Sequence, residues 1–415
     1  MPTTPAPDET TYPRPWRGRV VALVGLIMVA LNARIMVAVV SPIIGLITAD
    51  LPLSTTHESV IGLAAPLCFA LFGAIAPPLG RRYGLEAMMV VSLLISAAGE
   101  ALRALAHTPA GFVWWTIPAL AGAGIGNVLT PPLIKKYFPD RQGLIMAVFT
   151  FFVTISTALP PLVILTIAEA NGWRFSVGVW ALLGVVAVVP WLVQLFSPGR
   201  AGRRLAAVKR RLDPRTTHVA PPRLGTPLWT TGVAWALTTV FAINSLLGYT
   251  MFPWLPHLLR DAGVSVPAAA MYLAVFTAGS LPGSIIVPLV VARIKRHWVL
   301  PVVFFLGYAV SYIGLTVSPG VGTMAWILIS RIGDGFYPYA LTMINLRTRT
   351  TRGSIALSGF IQPIGYTLAA LGPWGFGFLR TLTGTWAIPM VALLVLLPIQ
   401  LVAGLIVGRS KPIDV

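Results

Sequence analysis

Of the charged side chains inside long apolar stretches of this 415-residue chain, four are candidates for chemistry: Arg34, Glu100, Arg331 and Asp334. A charge at mid-membrane depth costs about 2.5–3.5 kcal/mol on insertion scales, so each demands a partner or a wet cavity. Arg34 offers a planar fork of donors that suits a carboxylate or another small oxyanion. The alternative is a standing ion pair with Glu100, whose stretch puts it at a similar depth. Arg331 and Asp334 are three residues apart and share a helical face, which fits an internal ion pair. In the other reading Asp334 takes up a proton once Arg331 swings away. Glu100 is the second candidate for that role, because only these two carboxylates lie well inside apolar stretches.

Asn32, Asn127, Asn244, Tyr249, Gln362 and Tyr366 are the polar residues that could complete a binding cavity. Amides can turn either a donor or an acceptor toward a ligand. Each of them also suits a plain helix–helix hydrogen bond. No cofactor is indicated. The single cysteine, Cys68, cannot form an intramolecular disulfide, and the five histidines show no metal-ligand spacing. A phosphate-binding glycine loop is absent, which argues against ATP as the energy source.

The elements that position these residues are membrane spans. The chain is 56% hydrophobic and 10% charged, with a mean hydropathy of +0.82, against roughly a quarter charged in soluble proteins. A helix needs about 20 apolar residues to cross a bilayer. Twelve such stretches occur, near 19–48, 58–79, 85–106, 110–134, 143–169, 174–196, 227–258, 268–292, 298–318, 323–346, 354–380 and 385–408. The first is too long for a cleavable signal and lacks a small-residue cleavage site. Of the 30 Lys and Arg, 24 fall at loops or termini on one side. Cytoplasmic loops carry that excess, so both termini are expected inside. The net charge of +18 is therefore a topology signal, not a nucleic-acid footprint.

The halves echo each other. Asn32 pairs with Asn244 at an offset of 212, Gly124-x-Gly126 with Gly333-x-Gly335 at 209, and Gly143 with Gly353 at 210. The expected organisation is a disordered cytoplasmic tail (1–18), a six-helix bundle (19–196), a basic cytoplasmic linker (197–226), a second six-helix bundle (227–408) and a short cytoplasmic tail (409–415). Repeated six-helix halves are an architecture of secondary transporters that rock about a midplane site. A membrane enzyme would show acidic pairs, a His and Asp constellation or a large extramembrane loop, and none is present.

The turn Gly80-Arg81-Arg82-Tyr83-Gly84 resembles the Gly-x-x-x-Asp-Arg-x-Gly turn of the major facilitator superfamily, with Arg81 where the Asp is expected. Asn171-Gly172-Trp173-Arg174 is similar to a Gly-Trp-Arg sequence common there. Within the superfamily the chain most resembles the cyanate permease and 2-nitroimidazole exporter group. The resemblance runs through ALNARIMVAVVSPI in the first span, though Ile35 replaces a proline, and through GAGIGNVLTPPLIKKYF in the fourth. It continues in Pro253-Trp254-Leu255-Pro256 and FIQPIGYTLAALGPWGFGFLR. It implies an all-α membrane protein with the twelve-helix major facilitator fold and two pseudo-symmetric bundles. It further implies conformational gating near Arg81, Arg82 and Gly84. Arg331 is a further gating candidate, and Trp254 and Trp374, beside prolines near the outer ends of their spans, are candidates for outer gates.

The expected function is alternating-access transport, across the cytoplasmic membrane, of a small anion or small polar aromatic that engages Arg34. The competing reading is proton-coupled export of small drugs or nitroheterocycles using Asp334 or Glu100. No enzymatic activity and no nucleic-acid partner are expected. The partners are a small-molecule substrate, the lipid bilayer and, in the coupled reading, protons, and the chain is expected to work as a monomer.

Overall fold

A computed structural model describes residues 19–196 and 227–413. The expected tail 1–18 and linker 197–226 lie outside the described residues. Among the described residues, eleven helices are long and apolar enough to cross a membrane. The tenth crossing is made of two shorter helices, Thr323–Gly333 and Phe336–Leu346, and it completes the expected twelve.

In the first half, Val20–Asn32 and Ile35–Ala38 make span 1, and a short helix, Ile44–Asp50, carries the chain on past it. Thr55–Tyr83, Leu85–Ala104, Pro109–Tyr137, Gln142–Asn171 and Trp173–Phe196 form spans 2 to 6. In the second half, Gly232–Asp261 is span 7, and Val266–Ala278 with Leu281–Arg293 makes span 8. Val299–Val317 is span 9, the split pair above is span 10, and Thr351–Thr383 and Ala387–Arg409 are spans 11 and 12.

Three crossings are interrupted: span 1 at Ala33 and Arg34, span 8 at Gly279 and Ser280, and span 10 at Asp334 and Gly335. A broken helix leaves backbone groups without partners, which hydrocarbon does not tolerate, so such breaks sit in protein or along wet cavities. Pro282 opens the second helix of span 8, where a missing N–H costs nothing.

The glycine run in span 4 serves packing. A Cβ on Gly122 would lie 2.2 Å from the Ser92 carbonyl oxygen, and one on Gly99 would lie 2.2 Å from the Ala119 nitrogen. Spans 3 and 4 thus meet backbone to backbone, as small residues permit in membranes. The two halves also share a tie at the end away from the basic loops. The Trp173 indole donates to Asp50 at 3.0 Å and the Trp386 indole to Asp261 at 2.9 Å. These pairs sit at offsets of 211 and 213, a repeat that apolar patterning did not expose.

Candidate functional site

The three broken crossings converge on one cavity of about 750 Å³ between the two bundles. Its lining includes Ile61 and Pro66 of span 2, Trp254 of span 7 and Trp374 of span 11, all in the halves of those spans away from the basic loops. At its base lies Arg34. The break places Arg34 at φ −125°, outside the helical run, and turns its side chain across to the second bundle. One guanidinium nitrogen donates to the Tyr249 hydroxyl at 2.8 Å, and the other to the hydroxyls of Tyr337 and Tyr366, each at 3.3 Å. Its Cζ lies 5.3 Å from the centre of the Phe69 ring, within cation–π range.

All these partners are neutral. Among the described residues no carboxylate lies within ion-pair distance of Arg34, so the expected alternative of a pair with Glu100 is not formed. Glu100 is sealed at 1% exposure on span 3, with Arg103 one turn along as the charge that acts on it. Arg103 donates to the carbonyl of Met36, in the broken segment of span 1, at 3.0 Å. Glu100 Oε1 and Arg103 Nε and Nη2 have no hydrogen-bond partner.

A second charged cluster stands on the cavity wall. Arg331 lies flat against Phe276, 3.6 Å from the ring centre, and 3.7 Å from an Asp334 carboxylate oxygen. Tyr308 donates to Asn244 at 2.9 Å and approaches Asp334 at 3.5 Å. Gly333 and Gly335 let this broken helix press onto span 9, since a Cβ at either would meet Tyr308 at 2.3 Å or Phe304 at 2.5 Å.

The end carrying the basic loops is shut. Lys135 of span 4 crosses to span 10 and donates to the carbonyl of Asn345 at 3.0 Å, the hydroxyl of Thr348 at 2.9 Å and the carbonyl of Thr348. Those carbonyls are the negative end of a helix, which favours a cation. Ser358 of span 11 donates to Val128 of span 4 at 2.8 Å, and Thr150 of span 5 to Ser284 of span 8 at 2.5 Å. Gly143 and Gly359 sit where the halves touch. A Cβ there would fall 2.3 Å from Ala292 and 1.9 Å from Pro77.

Two six-helix bundles closed at one end around a midplane cavity match what known proteins show. The chain fits the Major Facilitator Superfamily over residues 23–373. It belongs to the Major Facilitator Superfamily. It is 30% identical to an uncharacterized transporter, YycB, of Bacillus subtilis (strain 168), covering 94% of each chain. It is 29% identical to the 2-nitroimidazole transporter of Escherichia coli (strain K12), covering 96% of this chain and 98% of that one. With the cyanate transport protein CynX of the same strain it shares 26% identity over 88% of this chain and 91% of that one. It is a multi-pass membrane transporter, not an enzyme, and is similar to the cyanate and 2-nitroimidazole transporters.

In this superfamily member the expected site residues divide. Arg34, Asn244, Tyr249, Arg331 and Asp334 line the cavity, and Tyr366 bonds Arg34 from below. Asn32 and Asn127 do not reach it. They line a small separate pocket inside the first bundle, where Asn32 donates to Met28 at 2.9 Å and Leu183 at 3.4 Å. Gln362 donates to Ser358 at 2.9 Å and to the Asn127 carbonyl at 3.4 Å, so it belongs to the closed seam. Arg81 and Arg82 are exposed at the end of span 2. Gly84 makes the turn there at φ +95°, and Arg82 rests on Tyr83. The cross-domain contact at this end comes instead from Lys135. Arg331 stands on the cavity wall, away from that seam. Trp254 donates to Pro373 at 2.9 Å, tying spans 7 and 11 beside the cavity.

Tyr337, Phe276 and Lys135 were not anticipated. Tyr337 could have been found as the residue one turn after Asp334. The threonines 150, 154 and 157 of span 5, which also line the cavity, carried a signal in their helical spacing.

Proposed function

We propose that this transporter moves a small planar organic anion by alternating access, with the anion seated on Arg34. The observation that carries this reading is a guanidinium at the base of an open cavity, with hydrogen-bond partners that are all neutral hydroxyls. Tyrosine hydroxyls hold the fork in place without neutralising it, so the charge is left for the ligand to compensate. A cavity of about 750 Å³ lies in the range of about 300–1,000 Å³ usual for small organic ligands. The aromatic lining of Tyr249, Phe252 and Tyr337 suits a ring. The relatives named for 2-nitroimidazole and cyanate fit a small polar or anionic cargo.

The basic loops face the cytoplasm, by the bias of Lys and Arg. The structure then represents the state open to the outside, in the cytoplasmic membrane of a bacterial cell, with both termini inside. A cavity complete within one copy supports transport by a single chain.

A second reading is proton-coupled export through Asp334. It is favoured over a Glu100 version because Asp334 faces the cavity while Glu100 is sealed. The two readings part in one experiment. Thermal stabilisation of the purified protein is screened against benzoate, nicotinate, cyanate and 2-nitroimidazole, in wild type and in Arg34→Ala. A ligand that binds only the native state raises the melting temperature. Stabilisation by the anions that vanishes in Arg34→Ala supports the anion reading. Stabilisation by neutral rings alone, equal in the variant, refutes it in favour of export.

A further inference from the structure

Asp334 and Arg34 share a setting that other charged residues of the chain lack. Each stands at an interruption in a crossing helix, each lines the same cavity, and they come from opposite bundles. Tyr337 links them: its ring belongs to the helical turn that follows Asp334, and its hydroxyl receives a bond from Arg34 at 3.3 Å. Discontinuous helices that meet at a midplane cavity are where transporters hold polar ligand groups.

The Asp334 carboxylate is charge-balanced but not saturated. Arg331 is pinned elsewhere, flat on Phe276 at 3.6 Å and packed against Gly279, where an added Cβ would lie 2.8 Å from its side chain. It reaches Asp334 only at 3.7 Å, beyond good hydrogen-bond length. Tyr308 approaches the other oxygen at 3.5 Å while its stronger bond, 2.9 Å, goes to Asn244. A carboxylate with two oxygens has about four acceptor positions, and these two long contacts leave others unfilled on a side chain that lines the cavity. Arg–carboxylate pairs frequently close to bidentate distance, and this one does not.

We infer that Asp334 is a second ligand anchor, which accepts a hydrogen bond from an O–H or N–H group on the cargo. This rests on the anion reading of Arg34 and narrows it. The cargo is a small ring with an oxyanion group at one end and a hydrogen-bond donor at the other, bridging the two bundles. Such a ligand touches both moving bodies at once, so its binding is sensitive to their separation.

The test uses the full-length protein and the fluorescence of Trp254 and Trp374, which line the cavity. The probes are benzoate, 3- and 4-hydroxybenzoate, and the two corresponding methoxybenzoates. In wild type, one hydroxybenzoate is expected to bind at least about tenfold tighter than both benzoate and its own methyl ether, the scale of one charge-assisted hydrogen bond. In Asp334→Leu that margin, taken against benzoate in the same variant, falls below about twofold. If the leucine variant does not fold, Asp334→Asn, a neutral acceptor, is expected to reduce the margin at least about threefold. Equal affinity of benzoate and both hydroxybenzoates, a methyl ether as good as its parent phenol, or a margin that survives Asp334→Leu overturns the inference while leaving Arg34 in place. Failure of every acid to bind, or equal binding by Arg34→Ala, overturns both readings together.

Discussion

Replacing Lys135 with methionine should open the basic end of the protein. The ammonium makes three bonds across the domain seam, to Asn345 and twice to Thr348, at a side chain only 8% exposed. Bonds of this charged kind contribute about 1.5–3 kcal/mol each in net terms. Holding an ammonium out of water offsets much of that sum, by several kcal/mol. Methionine keeps the apolar stem and the packing but forms none of the bonds, and the freed carbonyls regain water only when the seam parts. The remaining preference of about 2 kcal/mol is a factor of about thirty in the ratio of closed to open seam. Ser358, buried at 0% exposure in the same seam, is the reporter: Ser358→Cys is nearly isosteric, and Cys68→Ser removes the only other thiol. While the closed state dominates, the thiol reacts in proportion to the open fraction. The rate of modification should rise about thirtyfold in Lys135→Met. A change below about threefold would refute the assignment of Lys135 as the latch.

Other outcomes follow from the same geometry. Gly359→Leu drives a side chain into Pro77 and should raise the Ser358→Cys labelling rate as Lys135→Met does, whereas Gly248→Leu, where a Cβ meets nothing within 4 Å, should leave it unchanged. Tyr249→Phe removes the shortest bond to Arg34 and should weaken benzoate binding about threefold to tenfold by fluorescence titration, the scale of one hydrogen bond. Arg103→Met strands Glu100 in the protein and should lower the melting temperature, and adding Glu100→Gln should restore part of the loss, as expected for a buried charge left without its partner. The Arg174 guanidinium and the Trp173 indole hold the Asp50 carboxyl below the usual carboxylate range. A depressed folded-state pKa means the tie is fully present above about pH 4 and is lost as pH falls through the lower folded value. The acid-induced drop in melting temperature should therefore be smaller in Asp50→Asn than in wild type.

Much of this architecture was legible because bilayers impose length and hydropathy on every crossing. The twelve spans, the split into halves and the excess of cations at one end follow from that constraint. Arg34 and Asp334 also stood out, since charge in an apolar stretch is conspicuous. What stayed hidden was rotation about each helix axis. Asn32, Asn127 and Gln362 are as polar as Asn244, yet they face helix seams, and only tilt and packing decide which way an amide points. The breaks at Arg34 and Asp334 were hidden for a related reason. Neither residue stands next to a proline, so the interruption comes from tertiary partners: Arg103 on the Met36 carbonyl, and the close approach of Gly333 and Gly335 to span 9. Lys135 read as one more basic loop residue, although its side chain turns inward to the carbonyl end of another helix.

The account depends most on Arg34 meeting the cargo. The direct measurement is uptake of radiolabelled benzoate into proteoliposomes loaded with unlabelled benzoate, comparing wild type, Arg34→Lys and Arg34→Gln. Exchange in wild type, a loss of at least about tenfold in Arg34→Gln and only partial rescue by Arg34→Lys, a point charge without the planar fork, is the predicted result. Full exchange by Arg34→Gln, with an unchanged KM, would contradict it.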